Sequence, residues 1–266
     1  MVTVWGLFSF IIDFLSPDGC LLCGRALRDR EGTEGLTIPP GWPPWTHSFL
    51  STNFSLVLCR HIHVEAAVLC PPCWLSLEPA FSQSRIYING TAIPLVTPFF
   101  TSDGLLSLIH FLKFSGGRTV IPPLSWFMAQ ALRMNLRTST SPPPLVVPVP
   151  LHPSRERKRG YNQAALLGTS VAKQLDLDFG PAVLLRKRNT KRQARLDPAE
   201  RAENVRDAFK LSQRQCAARD VVLVDDLVTT GETIKACMTA LLENAPSTVT
   251  VLAAGRVRSL YPDLHV

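Results

Sequence analysis

The pattern of apolar and polar segments in the second half of the chain predicts an α/β fold built on a parallel sheet. Short apolar runs, each the length of a buried strand, alternate with segments whose apolar residues recur at helical spacing. Such alternation favours a parallel sheet with helices on its faces. The predicted strands are residues 145–151, 181–186, 206–211, 221–226 and 248–254, and the predicted helices are 161–175 and 232–243.

The first half of the chain has a different pattern. Residues 81–100 are predicted to be extended, helices are predicted over 102–114 and 122–136, and residues 138–144 have the composition of a linker. The first fifteen residues show apolar positions at roughly helical spacing, which predicts a docking helix; shallow membrane contact is the alternative. This segment is too short to span a bilayer and lacks the basic start and cleavage site of a signal peptide. We therefore expect a cytoplasmic protein.

Composition narrows the class of ligand. Lysine and arginine number 28 against 21 acidic residues, which gives a net charge of +7, and 46% of the residues are hydrophobic. The hydrophobic content indicates a folded core and excludes a disordered chain. The positive charge indicates a polyanionic ligand, which includes pyrophosphate, nucleotides, nucleic acid and a membrane surface. Charge alone does not choose among them.

The end of the strand predicted at 221–226 has the features of a phosphate site. A hydroxyl-rich turn follows the strand and leads directly into the helix predicted at 232–243. The first backbone N–H groups of a helix have no intrahelical acceptor, and the positive end of the helix dipole attracts anions. Three hydroxyl donors and a glycine that permits close approach lie in this turn. The predicted phosphate ligands are Thr229, Thr230, Gly231, Glu232 and Thr233.

An acidic pair next to this turn indicates which phosphate compound binds. Asp225 and Asp226 lie at the carboxyl end of the strand, where open α/β sheets bind ligands. Two carboxylates repel a bare anion but suit a sugar phosphate, whose hydroxyls reach them directly or through Mg²⁺ and its waters. A buried strand with an acidic helix cap is the simpler alternative. A cap, however, does not require two aspartates, three threonines and a glycine in this order.

A second candidate anion site follows the strand predicted at 145–151. Four basic residues, including Arg155 and Arg159, lie within five positions, and Gly160 and Asn162 come immediately after them. Arginine makes bidentate contacts to phosphate oxygens, and the helix that begins near Asn162 adds its dipole. We predict a loop here that holds a pyrophosphate opposite the first phosphate. A solvated run of charges is the alternative.

The strongly basic segment from residue 186 to 205 is too polar for a core. It is predicted to be a mobile loop that closes over an anionic substrate, and its candidate lid residues are Arg188, Thr190, Lys191 and Gln193. A loop that contacts nucleic acid, or plain surface disorder, has the same composition. The residues leave these three interpretations open.

Five of the seven cysteines lie near the N-terminus. Cys20 and Cys23 form one Cys-x-x-Cys pair, and Cys70 and Cys73 form another. Such pairs suit tetrahedral Zn²⁺, and a redox role is disfavoured because no βαβ pattern surrounds them. A proline-rich insert between the pairs is predicted to be an extended loop. Further candidate ligands are Cys59, His61 and His63, whereas Cys216 and Cys237 have the character of core residues.

Taken together, the motifs resemble one family. The combination occurs in the order found in the ComF family (also called GntX-like), which comprises phosphoribosyltransferase-like proteins linked to natural competence. The insert at residues 26–58 is longer than in the family pattern and leaves the role of Cys59 open. After the two cysteine pairs, the matching positions are Leu112–Phe114, Pro148–Pro153, Arg159–Gln163, Thr190, Gln193, Leu196, Arg201, Asn204, Asp225, Asp226 and Thr229–Gly231.

The resemblance implies a type I phosphoribosyltransferase-like fold that binds phosphoribosyl pyrophosphate (PRPP). It implies three regions: an N-terminal helix and zinc-ribbon-like module over 1–80, a helical connecting region and linker over 81–144, and a phosphoribosyltransferase-like domain over 145–266. In this interpretation Asp225 and Asp226 are catalytic and bind the ribose hydroxyls and the Mg²⁺ shell. The threonine turn holds the 5-phosphate, Arg155 and Arg159 hold the pyrophosphate, and Lys113 is a further pyrophosphate candidate.

Two functions follow from the resemblance. The first is a phosphoribosyltransferase that uses Mg²⁺ and PRPP on an unknown acceptor. The second is a non-catalytic PRPP- or nucleotide-sensing protein that acts in DNA uptake through single-stranded DNA or through competence proteins such as a DNA helicase. The intact acidic pair favours the first, and the clusters of positive charge favour the second. No base-recognition element is evident in the sequence.

Overall fold

The computed structural model describes residues 19–25, 38–44, 46, 69–81, 84–88, 90–114, 117–136, 142–188, 208–212 and 216–258. The helices are α1 (Pro71–Leu75), α2 (Asp103–Phe114), α3 (Ile121–Arg133), α4 (Pro153–Arg159), α5 (Gln163–Leu175) and α6 (Glu232–Leu242). The strands are β1 (Ser84–Ile88), β2 (Thr91–Val96), β3 (Phe99–Phe100), β4 (Leu145–Pro148), β5 (Asp178–Phe179), β6 (Leu184–Arg186), β7 (Phe209–Leu211), β8 (Asp220–Val228) and β9 (Thr248–Arg256).

A seven-stranded, mostly parallel sheet organises the fold. Its order is β1-β2-β9-β8-β4-β5, and β3 also pairs with β9. Among the strands that the structure describes, β1 and β2 form an antiparallel hairpin, the other strand pairs of this sheet are parallel, and β6 and β7 form a separate antiparallel pair. This architecture confirms the predicted fold class, an α/β sheet flanked by helices.

The direction of winding changes between β4 and β8. From β4 the chain passes through α4 and α5 to β5 on one side, whereas from β8 it passes through α6 to β9 on the other side. The two crossovers therefore diverge and leave a crevice beyond the carboxyl ends of β4 and β8. Open α/β sheets bind ligands at such a switch point.

Strand residues alternate between two cores because successive side chains point to opposite faces of a sheet. Val146, Val222 and Val224 pack with α2, α3 and α5 on one face. Leu145 and Leu223 pack with α6 and the β6–β7 pair on the other. Each buried valine or leucine contributes about 1.5–3 kcal/mol of transfer free energy. Both faces are covered, which explains why these strands are continuous apolar runs.

The segment over 84–100, predicted to be extended, contributes three strands to the main sheet. Leu95 and Val96 of β2 lie beside Val251 and Leu252 of β9 in parallel register. Leu95 is fully buried. The region expected to connect two domains therefore completes the edge of the sheet next to β9.

The N-terminal cysteine region packs directly against the sheet and its helices. Trp42 and Trp74 are buried and contact Phe99 of β3 and Phe127 of α3, with ring centroids 5.2–6.5 Å apart. The proline-rich segment was expected to be an extended loop, but its Trp42 enters the core. The docking helix predicted for the first fifteen residues lies outside the described residues. None of the helices that the structure describes is long and apolar enough to cross a membrane.

Candidate functional site

An open cavity of about 1100 Å³ lies at the carboxyl ends of β4 and β8. It brings together every predicted PRPP-binding residue: Asp225, Asp226, Thr229, Thr230, Gly231, Glu232, Thr233, Arg155, Arg159 and Lys113. Of the predicted lid residues, Arg188 is exposed just beyond β6. Thr190, Lys191 and Gln193 lie outside the described residues.

The threonine turn joins β8 to α6 and forms one end of the cavity. Gly231 has a φ of 76° and is the N-cap of α6. This left-handed conformation favours glycine and aims the first backbone N–H groups of the helix at the cavity. The carboxylate of Glu232 forms an ion pair with Lys235, at 2.8 Å, one turn along the helix. The turn therefore presents hydroxyls and the positive end of a helix, a combination that suits a phosphate.

The acidic pair lies in β8 next to this turn, and both side chains are buried. The backbone N–H of Asp226 donates to Oδ1 of Asp225 at 2.8 Å. Lys113, from the last turn of α2, forms an ion pair with Oδ2 of Asp226, and Nε2 of Gln163 lies 3.5 Å from Oδ1. The two aspartates are adjacent in sequence but have different electrostatic partners.

Their pKa values shift in opposite directions. Burial and the neighbouring charge of Asp226 raise the pKa of Asp225 well above its usual range. Burial alone would also raise the pKa of Asp226, but the Lys113 ammonium and hydrogen bonds outweigh burial and lower it. Asp226 is therefore the anion of the pair, and Asp225 retains its proton to higher pH. Separated pKa values in a cavity are typical of functional carboxyl groups.

The basic segment after β4 is a short helix, α4, where the sequence predicted a loop. His152 caps its start by accepting from the N–H of Ser154 at 3.2 Å, and Pro153 occupies the first turn. Gly160, with a φ of 84°, ends it. These local signals form a helix without any apolar stripe, and no α4 residue is buried. Arg155 and Arg159 nevertheless line the cavity, as the predicted pyrophosphate role requires.

Asn162 fixes the start of α5 relative to β4. Its side-chain oxygen accepts from the N–H of Ala164 at 3.0 Å, and its Nδ2 donates to the carbonyl of Val149 at 3.0 Å. Tyr161, the preceding residue, donates its hydroxyl to the carbonyl of Leu112. Two consecutive residues thus connect the end of β4, the start of α5 and the end of α2, and they determine the position of the cavity wall.

Several cavity residues were not identified as ligands from the sequence. Gln163 accepts a hydrogen bond from Arg159 and approaches Asp226, and so it connects the basic wall to the acidic pair. Arg186, at the end of β6, lies over the ring of Phe209, with its Cζ 5.1 Å from the centroid. Burial and the charge of Arg155 lower the pKa of Arg186. Gln163 follows the basic motif directly, which was the available signal, whereas nothing local distinguishes Arg186 from its neighbours.

The four predicted zinc ligands converge at a second site. The sulfur atoms of Cys20, Cys23, Cys70 and Cys73 all lie within 4.8 Å of one another. The Sγ atoms of Cys23 and Cys70 are 3.7 Å apart. Tetrahedral Zn²⁺ with Zn–S bonds of about 2.3 Å places sulfurs about 3.8 Å apart, so the cluster fits this metal.

The chemistry of the four thiols also fits a bound cation. Burial raises the pKa of Cys20, but backbone N–H groups, including that of Cys70, outweigh burial and lower it to about 7. Burial raises the pKa of Cys70 and Cys73, and a bound metal would hold these two as thiolates. Cys59, His61 and His63 lie outside the described residues. Cys216 and Cys237 are fully buried, as predicted.

Comparison with known proteins gives relatives over most of the chain. No protein-family model matches it. DNA utilization protein YhgH of Shigella flexneri is 29% identical over 233 residues, 87% of either chain. DNA utilization protein YhgH of Salmonella typhi is 34% identical over 197 residues, 73% of this chain and 86% of the relative. Competence protein F of Haemophilus influenzae is 31% identical over 183 residues, 68% of this chain and 76% of the relative.

Solved structures show a weaker likeness. The allosteric regulatory enzyme of purine biosynthesis is 20% identical, with a TM-score of 0.33, over 49% of this chain and 24% of that one. Adenine phosphoribosyltransferase from Leishmania tarentolae is 16% identical, with a TM-score of 0.29, over 58% of this chain and 61% of that one. TM-scores this low describe a partial likeness of fold and nothing of function. The sequence relatives, in contrast, reach 34% identity over most of their length, and the chain belongs to the ComF family.

Proposed function

We propose that the chain binds PRPP with Mg²⁺ and transfers its phosphoribosyl group to an acceptor. The observation that carries the proposal is the common location of three chemically different groups in one cavity: an acidic pair, a phosphate-binding turn and a basic wall. The relatives named for competence and for DNA utilization support a role for this site in DNA uptake.

In the proposed complex each end of PRPP has its own ligands. The turn over 229–233 binds the 5-phosphate, and Arg155 and Arg159 bind the pyrophosphate. The ribose lies between them, with its hydroxyls on Asp225 and Asp226. The carboxylate oxygens also fit Mg²⁺, which prefers oxygen ligands and, when bound, would neutralise charge on the pyrophosphate.

The residues act on the charges that develop during transfer. As the bond between C1 and the pyrophosphate breaks, the ribose becomes cation-like and the leaving group gains negative charge. The Asp226 carboxylate stabilises the first charge, and the two arginines stabilise the second. These groups are held in place before reaction, so catalysis is positioning and electrostatic stabilisation.

Calorimetric titration with Mg²⁺ and PRPP tests the binding step. The wild-type chain should bind, and Asp226→Asn should weaken binding about tenfold or more, because a charge-assisted contact in a dry site is lost. Asp220→Asn is a matched control: Asp220 lies in the same strand but accepts from Thr248 at 2.5 Å and does not line the cavity. Absence of binding by the wild-type chain would contradict the proposal.

Release of pyrophosphate tests the transfer step separately. Wild-type protein with Mg²⁺ and PRPP should release pyrophosphate in the presence of one member of a panel of purine and pyrimidine bases. Asp226→Asn should lose this release, and Asp220→Asn should retain it. If the protein binds PRPP but releases no pyrophosphate with any acceptor, the transferase function is excluded and the second candidate function remains.

The second candidate is a non-catalytic PRPP- or nucleotide-sensing protein that contacts single-stranded DNA or protein partners. The exposed charge of α4 favours it, because Arg157 is exposed and, unlike Arg155 and Arg159, does not line the cavity. Arg157→Ala should therefore weaken DNA binding and reduce its salt slope by about one without changing PRPP binding. Unchanged DNA affinity and salt slope would exclude this face as the contact.

The four-cysteine cluster completes the proposal. Its geometry supports structural Zn²⁺ held by Cys20, Cys23, Cys70 and Cys73. Elemental analysis of protein purified without chelator should find about one zinc per chain. A four-thiolate site has no open position for a substrate, so this metal has no part in the transfer.

A further inference from the structure

Lys113 contacts the acidic pair, although the sequence placed it with the pyrophosphate ligands. Its ammonium forms an ion pair with Oδ2 of Asp226, while Gln163 lies 3.5 Å from Oδ1. Both oxygens of the ionised carboxylate are thus engaged in the ligand-free chain. A ribose hydroxyl or a metal ion that is to use Asp226 has to displace or share these partners.

We propose that Lys113 is an internal counter-ion that occupies the cation position at Asp226, so that a divalent cation alone has to displace it whereas a metal–polyphosphate ligand exchanges partners with it. The inference rests on the proposed function and specifies how the ligands bind. A divalent cation alone binds weakly, whereas the cation and the pyrophosphate bind together.

The electrostatics of the pair explain why a counter-ion is needed. The side chain of Asp226 is 6% exposed, and that of Lys113 is 25% exposed. A buried carboxylate without a partner is strongly unfavourable, and another buried carboxyl group, Asp225, lies next to it. Lys113 compensates this charge with a side chain that remains partly exposed to solvent. It can therefore leave Asp226 without first becoming desolvated.

The proposed new partner of Lys113 binds in the same cavity. Lys113, Arg155 and Arg159 all line the cavity, and Arg159 lies over the ring of Phe114, the residue after Lys113, with its Cζ 5.3 Å from the centroid. A pyrophosphate bound to the two arginines offers Lys113 a new anionic partner at the moment when Asp226 acquires a new cation. The exchange keeps both charges paired, whereas a metal ion without pyrophosphate would expel Lys113 without giving it a partner.

Tyr161 restricts where Lys113 can move. The Tyr161 hydroxyl donates to the carbonyl of Leu112, the residue before Lys113, and holds the end of α2 against the start of α5. This contact holds the backbone next to Lys113, and the proposed exchange is therefore assigned to its four-carbon side chain.

Binding of Mn²⁺, as a paramagnetic substitute for Mg²⁺, tests the inference in the absence of PRPP. Wild-type protein should bind Mn²⁺ weakly, and Lys113→Met should bind it about tenfold more tightly, because the competing cation is gone. Lys113→Arg should behave as wild type. Lys173→Met, which removes an exposed lysine near the end of α5, is the matched control and should change nothing. Equal Mn²⁺ affinity in wild type and Lys113→Met would overturn the inference.

A second measurement uses the unmodified chain, in case Lys113→Met does not fold. Amine labelling of Lys113, quantified by mass spectrometry, should be slow in the free protein and faster at saturating Mn²⁺. A rate that does not respond to Mn²⁺ would also overturn the inference. These outcomes do not depend on PRPP. Failure to bind PRPP would remove the proposed function, while the Mn²⁺ experiments would still decide the role of Lys113.

Discussion

Asp225 and Asp226 are neighbours in β8, yet their surroundings give them opposite energetic roles. Asp226 is compensated by Lys113, and its lowered pKa means that its ionised form is favoured in the folded state. Asp225 is buried beside that charge, and its raised pKa means that its ionised form opposes folding. A carboxyl group kept in such a position is characteristic of function, because an apolar or amide side chain would be more stable there.

Replacing Asp225 by asparagine should therefore stabilise the protein and impair PRPP binding. The amide cannot ionise, so the penalty for a buried carboxylate disappears, and we expect a gain of about 1–3 kcal/mol at neutral pH. For a domain of this size this gain corresponds to an increase in Tm of a few degrees. Thermal unfolding followed by circular dichroism measures the gain, and calorimetric titration with Mg²⁺ and PRPP measures the loss.

The pH dependence of the free energy of unfolding tests whether ionisation of Asp225 is the cause of this gain. The pKa of Asp225 is higher in the folded state than in the unfolded state, so the folded wild type holds the proton of this carboxyl group more tightly. Its stability therefore falls as pH rises from the unfolded value, about 3.9, to the raised folded value. The asparagine variant lacks this loss, so its advantage should be small at low pH and grow through this window. An advantage independent of pH would mean that ionisation of Asp225 is not its cause.

At the scale of single residues, the sequence predicts those site residues that lie together in a short motif. The two aspartates, the threonines and the two arginines each lie in a short motif at the end of a predicted strand, and the sheet brings these ends together. The ion pair between Lys113 and Asp226 could not be predicted, because it joins positions more than one hundred residues apart. Arg186 was missed because nothing in its local sequence distinguishes it from the basic residues beside it.

At the scale of elements, apolar spacing predicted α2, α3, α5 and α6 to within three residues at each end. It did not predict α4, because this helix has no buried face; a proline, a histidine cap and a terminal glycine form it. Spacing also could not show that the extended segment over 84–100 pairs with β9 at the far end of the chain. The spacing of apolar residues shows which face of an element is buried. It does not show which strands pair with each other, because that depends on the whole fold.

Gly231 is the position at which a single element determines the phosphate site. Its φ of 76° at the N-cap of α6 is unfavourable for alanine, so Gly231→Ala should destabilise the fold by about 1–2 kcal/mol. It should also weaken PRPP binding about tenfold, because the strained turn shifts the N–H groups aimed at the 5-phosphate. Chemical unfolding and calorimetric titration measure the two effects.

Gly90→Ala provides a matched control for this strain. Gly90 has a φ of 78°, lies in the turn between β1 and β2, and has nothing within 4 Å of an added Cβ. It does not line the cavity. The control should lose similar stability and retain full PRPP binding. If Gly231→Ala binds PRPP as well as Gly90→Ala does, the turn does not hold the phosphate.

At the scale of the whole molecule, the cysteine cluster and the sheet share one hydrophobic core. Cys20 and Cys70 belong to the same buried cluster as Val146 and Val224 of the central strands. Trp42 and Trp74 connect the two parts through their contacts with Phe99 and Phe127. The sequence predicted the four metal ligands from spacing, but the proline-rich segment gave no sign that Trp42 is buried. Loss of metal should therefore be transmitted to the sheet.

Removal of the metal is expected to destabilise the whole chain. A zinc chelator should lower the free energy of unfolding by several kcal/mol, or the Tm by roughly 10 °C, because the four ligands are part of the common core. Cys73→Ser should show a similar loss of stability and little further response to chelator. Added Zn²⁺ should restore the stability of the chelated wild type but not that of the variant. Unfolding should remain a single transition by tryptophan fluorescence and by far-ultraviolet circular dichroism. Two separate transitions after chelation, with the sheet unaffected, would show that the cysteine cluster is an independent module.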